Sequence, residues 1–203
     1  MRRVIVNNIM SLDGYFEGTD GSPMSLNMDA AFDAYNRERI EQADLVLLGR
    51  ASYQGFSSYW PRIADAPENP DDRALTEDNR ALSRGWNRLP KVVVSDTYTP
   101  ENDNPWFDTT TRVRRDEVPA WIEAERESGD GDIVVFGSHT MWNGLLDRGL
   151  VDELHLTVSP AVLGGGTPIF TGPSTTPVGL RLVEARSFAD SDNALLRYAP
   201  ERL

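Results

Sequence analysis

The stretch GLVDELHLTVSPAVLGGG, residues 149–166, sets the architecture of the last third of the chain. Within it, Glu153–Ser159 alternates strictly between apolar and polar residues, which is the pattern of a half-exposed antiparallel strand. Further along, residues 179–188 and 193–199 predict two more strands, joined by a polar turn at residues 189–192. This part of the chain is therefore expected to add antiparallel strands to one edge of a sheet.

Upstream of that stretch, four apolar runs lack the alternation; they are residues 4–9, 45–48, 92–94 and 133–136. Continuous apolar runs are typical of strands that are buried on both faces, as in a parallel sheet covered by helices. Between the runs, apolar and polar residues recur at helical spacing, in residues 29–43, 71–86, 117–128 and 140–147. Loops rich in Pro, Gly, Asp and Asn are predicted at residues 61–72, 97–111 and 164–177.

Strands that alternate with helices of this length indicate βαβ units. We therefore expect an α/β fold with a mixed sheet, mostly parallel, with antiparallel strands at its C-terminal edge and helices on both faces. Apolar runs continue on both sides of every predicted loop, so we expect residues 1–203 to form one domain.

The composition excludes several classes of function. The 203 residues include 32 acidic and 20 basic ones, and the net charge of −12 repels nucleic acid and anionic lipid. Because there is no cysteine and only His139 and His155 are imidazoles, we expect no disulfide, thiolate nucleophile or metal centre. No stretch approaches about 18 uninterrupted apolar residues, and the N-terminus lacks a signal-peptide core. We expect a cytoplasmic protein that binds neither nucleic acid nor membrane.

Three of the four apolar runs end in small or polar residues, at Gly49-Arg50, at Ser95-Asp96 and at residues 137–140. In an open α/β sheet, ligands bind in the crevice beyond the carboxyl ends of the strands. Glycine lets a ligand approach the backbone there, and a helix start offers unpaired N–H groups to an anion. Each residue taken alone is better explained as a turn or a helix N-cap. The three ends together fit two interpretations equally, ordinary turns or a site for an extended anion such as a dinucleotide pyrophosphate.

Arg50 has the sharpest functional interpretation, because a guanidinium directly after a strand-ending glycine can hold a phosphate through two parallel hydrogen bonds. The alternative is a surface ion pair, which is common in so acidic a chain. The three glycines at residues 164–166 leave room for a flat ring or a phosphate, or else form a plain flexible loop. The chain has no G-x-G-x-x-G, no P-loop and no G-x-S-x-G motif.

Four further residues or segments have two interpretations each, or only a structural one. Residues 11–14, Ser-Leu-Asp-Gly, fit a structural turn after the first strand. His139 lies at a predicted helix start, where it either caps the helix or donates to a phosphate. His155 lies within a strand and is expected to be structural. Asp33 is the acid best placed to face the crevice, with a solvated helix surface as the alternative.

The order of these motifs resembles the dihydrofolate-reductase-like family, in particular the reductase domain of the bifunctional riboflavin-biosynthesis deaminase–reductase and its stand-alone relatives. The matching segments are SLDG at 11–14, LLGR at 47–50, VVVS at 92–95, FGS at 136–138, GLVDEL at 149–154 and PAVLGGG at 160–166. They span nearly the whole chain, and the last two are the most specific.

This resemblance implies an NADPH-dependent reductase that passes hydride to a small heterocycle, pterin-like or ribosylaminopyrimidine-like, or to a carbonyl compound. The 5-amino-6-(5-phosphoribosylamino)uracil reductase step of riboflavin biosynthesis is one candidate reaction. A homodimer that associates through the C-terminal strands is also implied.

The resemblance also assigns parts of the cofactor to parts of the chain. It places the 2′-phosphate near Arg50 and the residues after Ser95, the pyrophosphate at residues 137–140, and the nicotinamide near residues 11–14 and 164–165. The implied cofactor-binding residues are Leu12, Asp13, Gly49, Arg50, Ser52, Ser95, Gly137, Ser138, His139, Thr140, Gly164 and Gly165. Asp33 is the implied catalytic acid, with Asp29 as the second choice.

Two departures from the family pattern bear on function. Relatives often carry a basic residue after the serine of the third apolar run, where this chain has Asp96, so selectivity for NADPH rests on Arg50. The deaminase half needs a cysteine-ligated zinc, which a chain without cysteine cannot provide. A non-catalytic protein of the same fold that binds a nucleotide or a flavin is the alternative function.

Overall fold

The computed structural model describes residues 1–69, 71–171 and 177–202, so the predicted loops at 61–72 and 164–177 fall partly outside the described residues. The strands are β1 (Val4–Ser11), β2 (Tyr15–Glu17), β3 (Ala43–Gly49), β4 (Lys91–Val94), β5 (Thr110–Val113), β6 (Asp132–Phe136), β7 (Glu153–Ser159), β8 (Thr167–Pro168), β9 (Val178–Phe188) and β10 (Ser191–Arg202). The helices are α1 (Ala30–Gln42), α2 (Arg50–Ile63), α3 (Glu77–Arg88), α4 (Val118–Arg126) and α5 (His139–Asp147). Two 3₁₀ turns lie at Arg73–Leu75 and Phe107–Thr109.

The chain divides into two compact units, each built from two separate stretches of sequence. The first unit comprises Met1–Arg3 and Asp33–Ser138, and the second comprises Val4–Phe32 and His139–Leu203. The assignment of all 203 residues to one domain stays a prediction.

The first unit contains four parallel strands in the order β5-β4-β3-β6. Strands β3, β4 and β6 are the apolar runs of the sequence, and they are almost entirely buried, as their continuous hydrophobicity predicts. Strand β5 was not predicted, and its first two residues lie in the loop predicted at residues 97–111. It is an edge strand in which Thr111 and Arg112 are exposed, so its sequence has no apolar pattern that would predict a strand.

The core of the first unit is built around stacked tryptophans. The ring of Trp86 stacks on Trp60 at a centroid distance of 6.0 Å and on Trp106 at 5.7 Å, and Phe136 of β6 contacts it from another side. Large aromatic side chains bury much apolar surface each, so this cluster stabilises the unit strongly. It fixes α3, which carries Trp86, against the helix that follows β3.

That helix, α2, is absent from the sequence-based prediction. Its sequence contains Gly55, three serines and Pro61, which are poor helix formers, and so gives no strong local signal. Tertiary packing compensates, because Tyr53 and Ser57 are buried on one face. The helix starts directly after Gly49, at the carboxyl end of β3, and so creates part of the candidate site.

The second unit has the strand order β1-β7-β10-β9. Strands β1 and β7 run parallel, with Ser11 opposite Ser159 at their carboxyl ends, whereas β10 pairs antiparallel with β7 and with β9. The hairpin of β9 and β10 confirms the two strands predicted near the C-terminus.

The prediction that β7 is a half-exposed antiparallel strand is wrong in two respects. The strand is parallel to β1 on one side, and three of its four polar positions are buried, namely His155 at 0% exposure, Thr157 and Ser159. His155 lies 2.9 Å from a Glu153 oxygen, and the Arg197 guanidinium donates to the same oxygen at 2.7 Å. Burial alone would raise the pKa of Glu153, but the hydrogen bonds from Arg197 and His155 outweigh it and lower that pKa. A satisfied polar network thus replaces water, and the alternation does not report exposure.

The predicted fold class is confirmed: a mixed α/β fold with eight strands in the main sheet, mostly parallel, and antiparallel strands at the C-terminal edge. Among the described residues, no helix has the length and apolar character needed to cross a bilayer.

Candidate functional site

Three strand ends of the first unit meet at one edge. Gly49 of β3 pairs with Val94 of β4, so Ser95 follows on the neighbouring strand, and β6 pairs with β3 on the other side. Two hydrogen bonds join the ends: the Gly49 N–H donates to Ser138 Oγ at 3.0 Å, and the Ser138 N–H donates to Ser52 Oγ at 2.7 Å. The predicted juxtaposition of these ends is therefore present within this unit.

Helix α2 begins at this edge with its first turn uncapped by a side chain. Gly49 occupies the N-cap position in an extended conformation, with φ −72° and ψ 159°, and has no side chain to accept from the first N–H groups. Unpaired N–H groups and the positive end of the helix dipole together form a binding place for an anion. The feature follows from the Gly49-Arg50 sequence, although the helix itself was not predicted.

The turn after β6 has a strained backbone. Gly137 and Ser138 both have positive φ, 53° and 52°, and Ser138 is the one non-glycine residue of the described chain in that region. A Cβ on Gly137 would lie 2.9 Å from Ser52 Oγ, so the position also requires the close approach that glycine allows. A serine in the left-handed region costs on the order of 1–2 kcal/mol, and such strain clusters at functional sites.

Arg50 is held without a carboxylate. Its Nε donates to Gln54 Oε1 at 3.2 Å, and its guanidinium lies over the Tyr98 ring, 5.2 Å from the centroid. No carboxylate of the described residues lies within ion-pair distance of its guanidinium, although the chain has 32 acidic residues. The alternative that Arg50 forms a surface ion pair is therefore not observed.

Ser95 and Asp96 are both engaged by their own unit. Ser95 Oγ accepts from the Tyr98 N–H at 3.0 Å, which fixes the turn that carries the Tyr98 ring. Asp96 accepts from the Arg115 N–H at 3.0 Å, and its other oxygen lies 3.7 Å from Arg115 Nε. Arg115 therefore partly compensates the charge that would repel a 2′-phosphate.

A groove that the sequence does not indicate lies along the same helix. It has a volume of about 370 Å³, and Gln54 and Tyr98, the two residues that contact Arg50, are part of its lining with Ser57, Glu101 and Asn104. Tyr98 and Asn104 come from a segment predicted only as a loop. Their approach to α2 depends on tertiary packing, so no local signal predicts it.

In the second unit, Asp13 joins two loops. Its carboxylate accepts from Ser11 Oγ at 2.6 Å and from the N–H groups of Gly164 at 2.8 Å and Leu163 at 3.1 Å. The bond from Ser11, followed by that from Gly164, lowers the pKa of Asp13 to about 2. The predicted turn at residues 11–14 and the glycine run are thus brought together, with Leu12 and Gly165 beside them. The carboxylate of Asp13 is thus engaged in hydrogen bonds that hold the two loops together.

His139 also has internal partners. Its Nε2 lies 2.7 Å from the Pro168 carbonyl and 3.1 Å from the Ile169 carbonyl, and its ring stacks on Phe16 at 5.1 Å. Because carbonyl oxygens only accept, Nε2 carries the proton and donates to them. This nitrogen is therefore occupied, while Thr140 at the start of α5 is exposed.

Both candidate catalytic acids are saturated with donors. Asp33 forms a two-fold contact with Arg73 at 2.7 and 2.9 Å and accepts from Asn79 Nδ2 at 3.0 Å. Asp29 accepts from the Phe32 N–H at 3.1 Å, which caps α1, and from Ser191 Oγ at 2.5 Å. Burial acts to raise the pKa of Asp29, but these hydrogen bonds lower it. The lowered pKa of Asp29 makes it a poor proton donor at neutral pH, and the carboxylate of Asp33 is engaged by Arg73 and Asn79.

Comparison with known proteins gives a consistent result. A family model described as the RibD C-terminal domain matches residues 2–193. The chain is 28% identical over 188 residues to a protein of Bacillus subtilis (strain 168) named uncharacterized protein YyaP, covering 93% of this chain and 90% of that one.

Two solved structures show the same fold. A putative riboflavin biosynthesis protein from Shewanella sp. PV-4 has a TM-score of 0.69 and 22% identity, covering 98% of this chain and 99% of that one. Dihydrofolate reductase from Enterococcus faecalis, complexed with NADP(H) and RAB-propyl, has a TM-score of 0.57 and 14% identity, covering 98% and 96%. At these identities the two structures establish the fold alone.

Proposed function

We propose that this chain, which belongs to the RibD C-terminal domain family, is an NADPH-dependent reductase of a small heterocyclic or carbonyl substrate. Pterin-like and ribosylaminopyrimidine-like compounds are both within this class, and the 5-amino-6-(5-phosphoribosylamino)uracil reductase step is one member of it. When bound, the cofactor would supply the hydride. The protein's own residues would bind and orient the two reactants.

The observation that carries this proposal is Arg50 at the uncapped start of α2. A guanidinium with no carboxylate partner, stacked on Tyr98 and held by Gln54, is already oriented for a ligand anion. The first N–H groups of the helix add donors for the same anion. The chemistry of this group fits a phosphate, and we assign it to the 2′-phosphate of NADPH.

The backbone between Gly137 and Ser138 supports the same assignment. Gly137 and Ser138 both have positive φ, and Gly137 has no side chain that could block a ligand. The hydrogen bonds of Ser138 to Gly49 and to Ser52 hold the turn in this conformation. Backbone strain of this kind clusters at ligand-binding positions, and glycine lets a ligand approach the backbone closely. We assign this turn to the pyrophosphate.

A second candidate function is a non-catalytic nucleotide-binding or flavin-binding protein of the same fold. The contacts of Asp33 and Asp29 favour it, because both carboxylates are already engaged by neighbouring residues of the protein. The reductase proposal then requires the proton to come from solvent or from the substrate.

The proposal is tested by isothermal titration calorimetry, which measures the Kd of the protein for NADPH and for NADH. Replacing Arg50 with Ala removes a charge-assisted bidentate contact of about 1.5–3 kcal/mol, so the Kd for NADPH should rise about 10- to 100-fold while that for NADH stays constant. Arg148→Ala, an exposed arginine of the second unit, makes the same change in net charge and should leave both constants unaltered.

Each outcome separates the alternatives. If neither nucleotide binds below millimolar concentration, the proposed function is wrong. If NADPH binds equally well to Arg50→Ala, the phosphate assignment alone is wrong. If NADPH binds and no pterin, aminopyrimidine, quinone or diketone is reduced, the non-catalytic alternative is supported.

We also propose that the protein is a homodimer that associates through the hairpin of β9 and β10. Strand β9 is an edge strand with exposed Leu180, Leu182 and Val183, and Leu182 lies opposite Tyr198 on one face. Light scattering should find a dimer that Leu182→Arg converts to a monomer, whereas Thr111→Arg on β5 should leave it intact. A monomeric wild-type protein would contradict this proposal.

A further inference from the structure

The loop that follows β4 lies between two strand ends of the first unit that are each followed by an arginine. Val94 of β4 pairs with Gly49 of β3 on one side and with Val113 of β5 on the other, all in parallel register. Arg50 directly follows Gly49, and Arg115 comes two residues after Val113. Because neighbouring strands lie about 4.8 Å apart, β3 and β5 end about 10 Å from each other, with β4 between them.

The loop after β4 is held in one conformation by its own backbone. The Ser95 N–H donates to the Val113 carbonyl at 3.0 Å, so the pairing of β4 with β5 continues one residue past the end of β4. Ser95 Oγ accepts from the N–H groups of Thr97 at 3.4 Å and Tyr98 at 3.0 Å, which closes a tight turn. Asp96 lies inside this turn, so its backbone is fixed.

Each of the two arginines contacts one side chain of this turn. The Arg50 guanidinium lies over the Tyr98 ring, 5.2 Å from its centroid. The Arg115 N–H donates to Asp96 Oδ1 at 3.0 Å, and Arg115 Nε lies 3.7 Å from Asp96 Oδ2. Both guanidinium groups therefore lie beside the same turn.

The contact with Asp96 leaves Arg115 able to bind a ligand. The Arg115 side chain is 76% exposed, and the 3.7 Å separation is longer than a hydrogen bond, so Asp96 attracts the guanidinium without a direct bond to Nε. No other carboxylate of the described residues lies within ion-pair distance of Arg115. The neighbouring Arg114 differs, because its Nε donates to Asp116 at 3.3 Å. The terminal nitrogens of Arg115 are therefore available as donors to an anion.

Asp96 has two possible roles toward a dinucleotide. In dinucleotide-binding α/β folds, an acidic residue accepts from the ribose 2′-hydroxyl of NADH, whereas an arginine accommodates the 2′-phosphate of NADPH. The first role needs carboxylate oxygens that are available to the hydroxyl. In this chain one oxygen of Asp96 accepts from the Arg115 N–H and the other faces the Arg115 Nε. These contacts favour the role of holding an arginine.

We infer that Asp96 positions Arg115 as a second cation for the 2′-phosphate of NADPH, together with Arg50, and that this pair of arginines makes the chain selective for NADPH over NADH. The inference rests on the proposed function, in which Arg50 binds this phosphate. A phosphate monoester carries about two negative charges at neutral pH, so one guanidinium neutralises only about half of its charge. Arg115 supplies the second positive charge and so offsets Asp96.

Isothermal titration calorimetry on Arg115→Ala tests the inference. The Kd for NADPH should rise about 10-fold, because a charge-assisted hydrogen bond is lost, and the Kd for NADH should stay constant. Arg114→Ala is the matched control, since it makes the same change in net charge at the next residue. It should change neither constant by more than about 2-fold, because solvent and salt screen a charge that does not contact the phosphate.

A pair of cofactor fragments isolates the 2′-phosphate from the rest of NADPH. Adenosine 2′,5′-bisphosphate carries this phosphate, and adenosine 5′-monophosphate lacks it. Only the bisphosphate should lose affinity, again about 10-fold, when Arg115 is replaced with Ala. Equal losses for both fragments would contradict the inference, because they would place Arg115 at another part of the nucleotide.

A double-mutant cycle tests the positioning role of Asp96. Asp96→Ala removes a negative charge near the phosphate in either background, but only where Arg115 is present does it also release that side chain. The variant should therefore improve NADPH binding about 3-fold less in the wild-type background than in Arg115→Ala, and the Kd for NADH should not change in either. A merely structural role of Asp96 would alter the binding of both cofactors alike. Additive effects on NADPH would overturn the inference that Asp96 acts through Arg115.

The remaining outcomes separate this inference from the proposed function. If neither nucleotide binds to the wild-type protein, both are wrong. If Arg50→Ala weakens NADPH binding but Arg115→Ala behaves like Arg114→Ala, this inference alone is wrong. Weaker binding of NADH to Asp96→Ala would assign Asp96 to the ribose hydroxyl and would also overturn it. Circular dichroism confirms that each variant is folded.

Discussion

The strand-end loops of the two units have opposite chemical character. In the first unit, Arg50 has no described carboxylate partner and stands at a helix start that no side chain caps, a combination suited to an anion. In the second unit, the ionised Asp13 joins two loops that expose Leu12 and Val162, so this surface combines a negative charge with apolar side chains. The net charge of −12 describes neither surface. Local pairing of charges, and not the total charge, gives each surface its chemical character.

The first unit depends on the close approach at Gly137, and replacing this residue is expected to have the largest effect. In Gly137→Ala the new Cβ meets Ser52 Oγ at 2.9 Å in a backbone region that disfavours side chains. The free energy of unfolding should fall by about 1–2 kcal/mol, and NADPH binding should weaken as the Ser138–Ser52 hydrogen bond is displaced.

Gly144→Ala on α5 is the matched control for that variant. No atom lies within 4 Å of its added Cβ, and the residue is helical, so the variant should be more stable by about 0.5–1 kcal/mol. Urea unfolding of both variants and of the wild-type protein measures these changes in the free energy of unfolding. Equal effects at the two glycines would show that the turn after β6 is not under constraint.

Lys91, also in the first unit, differs from Arg50 because it is a buried cation and not an exposed one. Lys91 is 1% exposed, its Nζ donates to the Asn87 carbonyl and to Thr109 Oγ1 at 3.1 Å each, and it lies over the Trp106 ring. Burial lowers the pKa of Lys91 from its ordinary value of 10.5 to about 7. The unfolded chain therefore binds a proton that the folded chain lacks between these two pH values.

Stability should consequently rise with pH from about 7 to about 10.5, and the cost of the buried charge is greatest below pH 7. Lys91→Met should remove this slope and stabilise the protein most at pH 6. Denaturant unfolding of both proteins at pH 6, 7, 8 and 9 measures the slopes. An unchanged slope in the variant would assign the pH dependence to other groups.

The smallest expected effect is local and lies in the second unit. Asp13→Asn keeps the size of the side chain but removes the charge that accepts from Leu163 and Gly164. Amide exchange at these two positions should accelerate, whereas Asp192→Asn, at an exposed carboxylate, should not change it. In the wild-type protein the same acceleration should appear only as pH falls from about 3.8 through about 2, because the lowered pKa keeps Asp13 ionised above that range. Exchange that is insensitive to the charge would mean that the loops are held by other contacts.

Sequence patterns succeeded where burial is continuous. Strands β3, β4 and β6 were predicted because a strand covered on both faces must be apolar at every position. The helix α2 and the strand β5 were missed, since Pro61 and the exposed Thr111 belong to elements that packing stabilises. The buried β7 was misjudged because His155 has a polar network in place of water.

For the candidate site, the sequence determined which residues stand at strand ends and that Arg50 directly follows the strand-ending Gly49. Only the tertiary structure decided which of these side chains are already engaged by other residues of the protein and which can still bind a ligand. Asp33 accepts hydrogen bonds from Arg73, and Asp13 accepts one from the glycine loop. His139 donates to two carbonyl oxygens, whereas Arg50 has no described carboxylate partner. Partners such as Asp13 and Gly164 are about 150 residues apart in sequence, so local pattern carries no information about them. Availability for binding is a property of these long-range contacts.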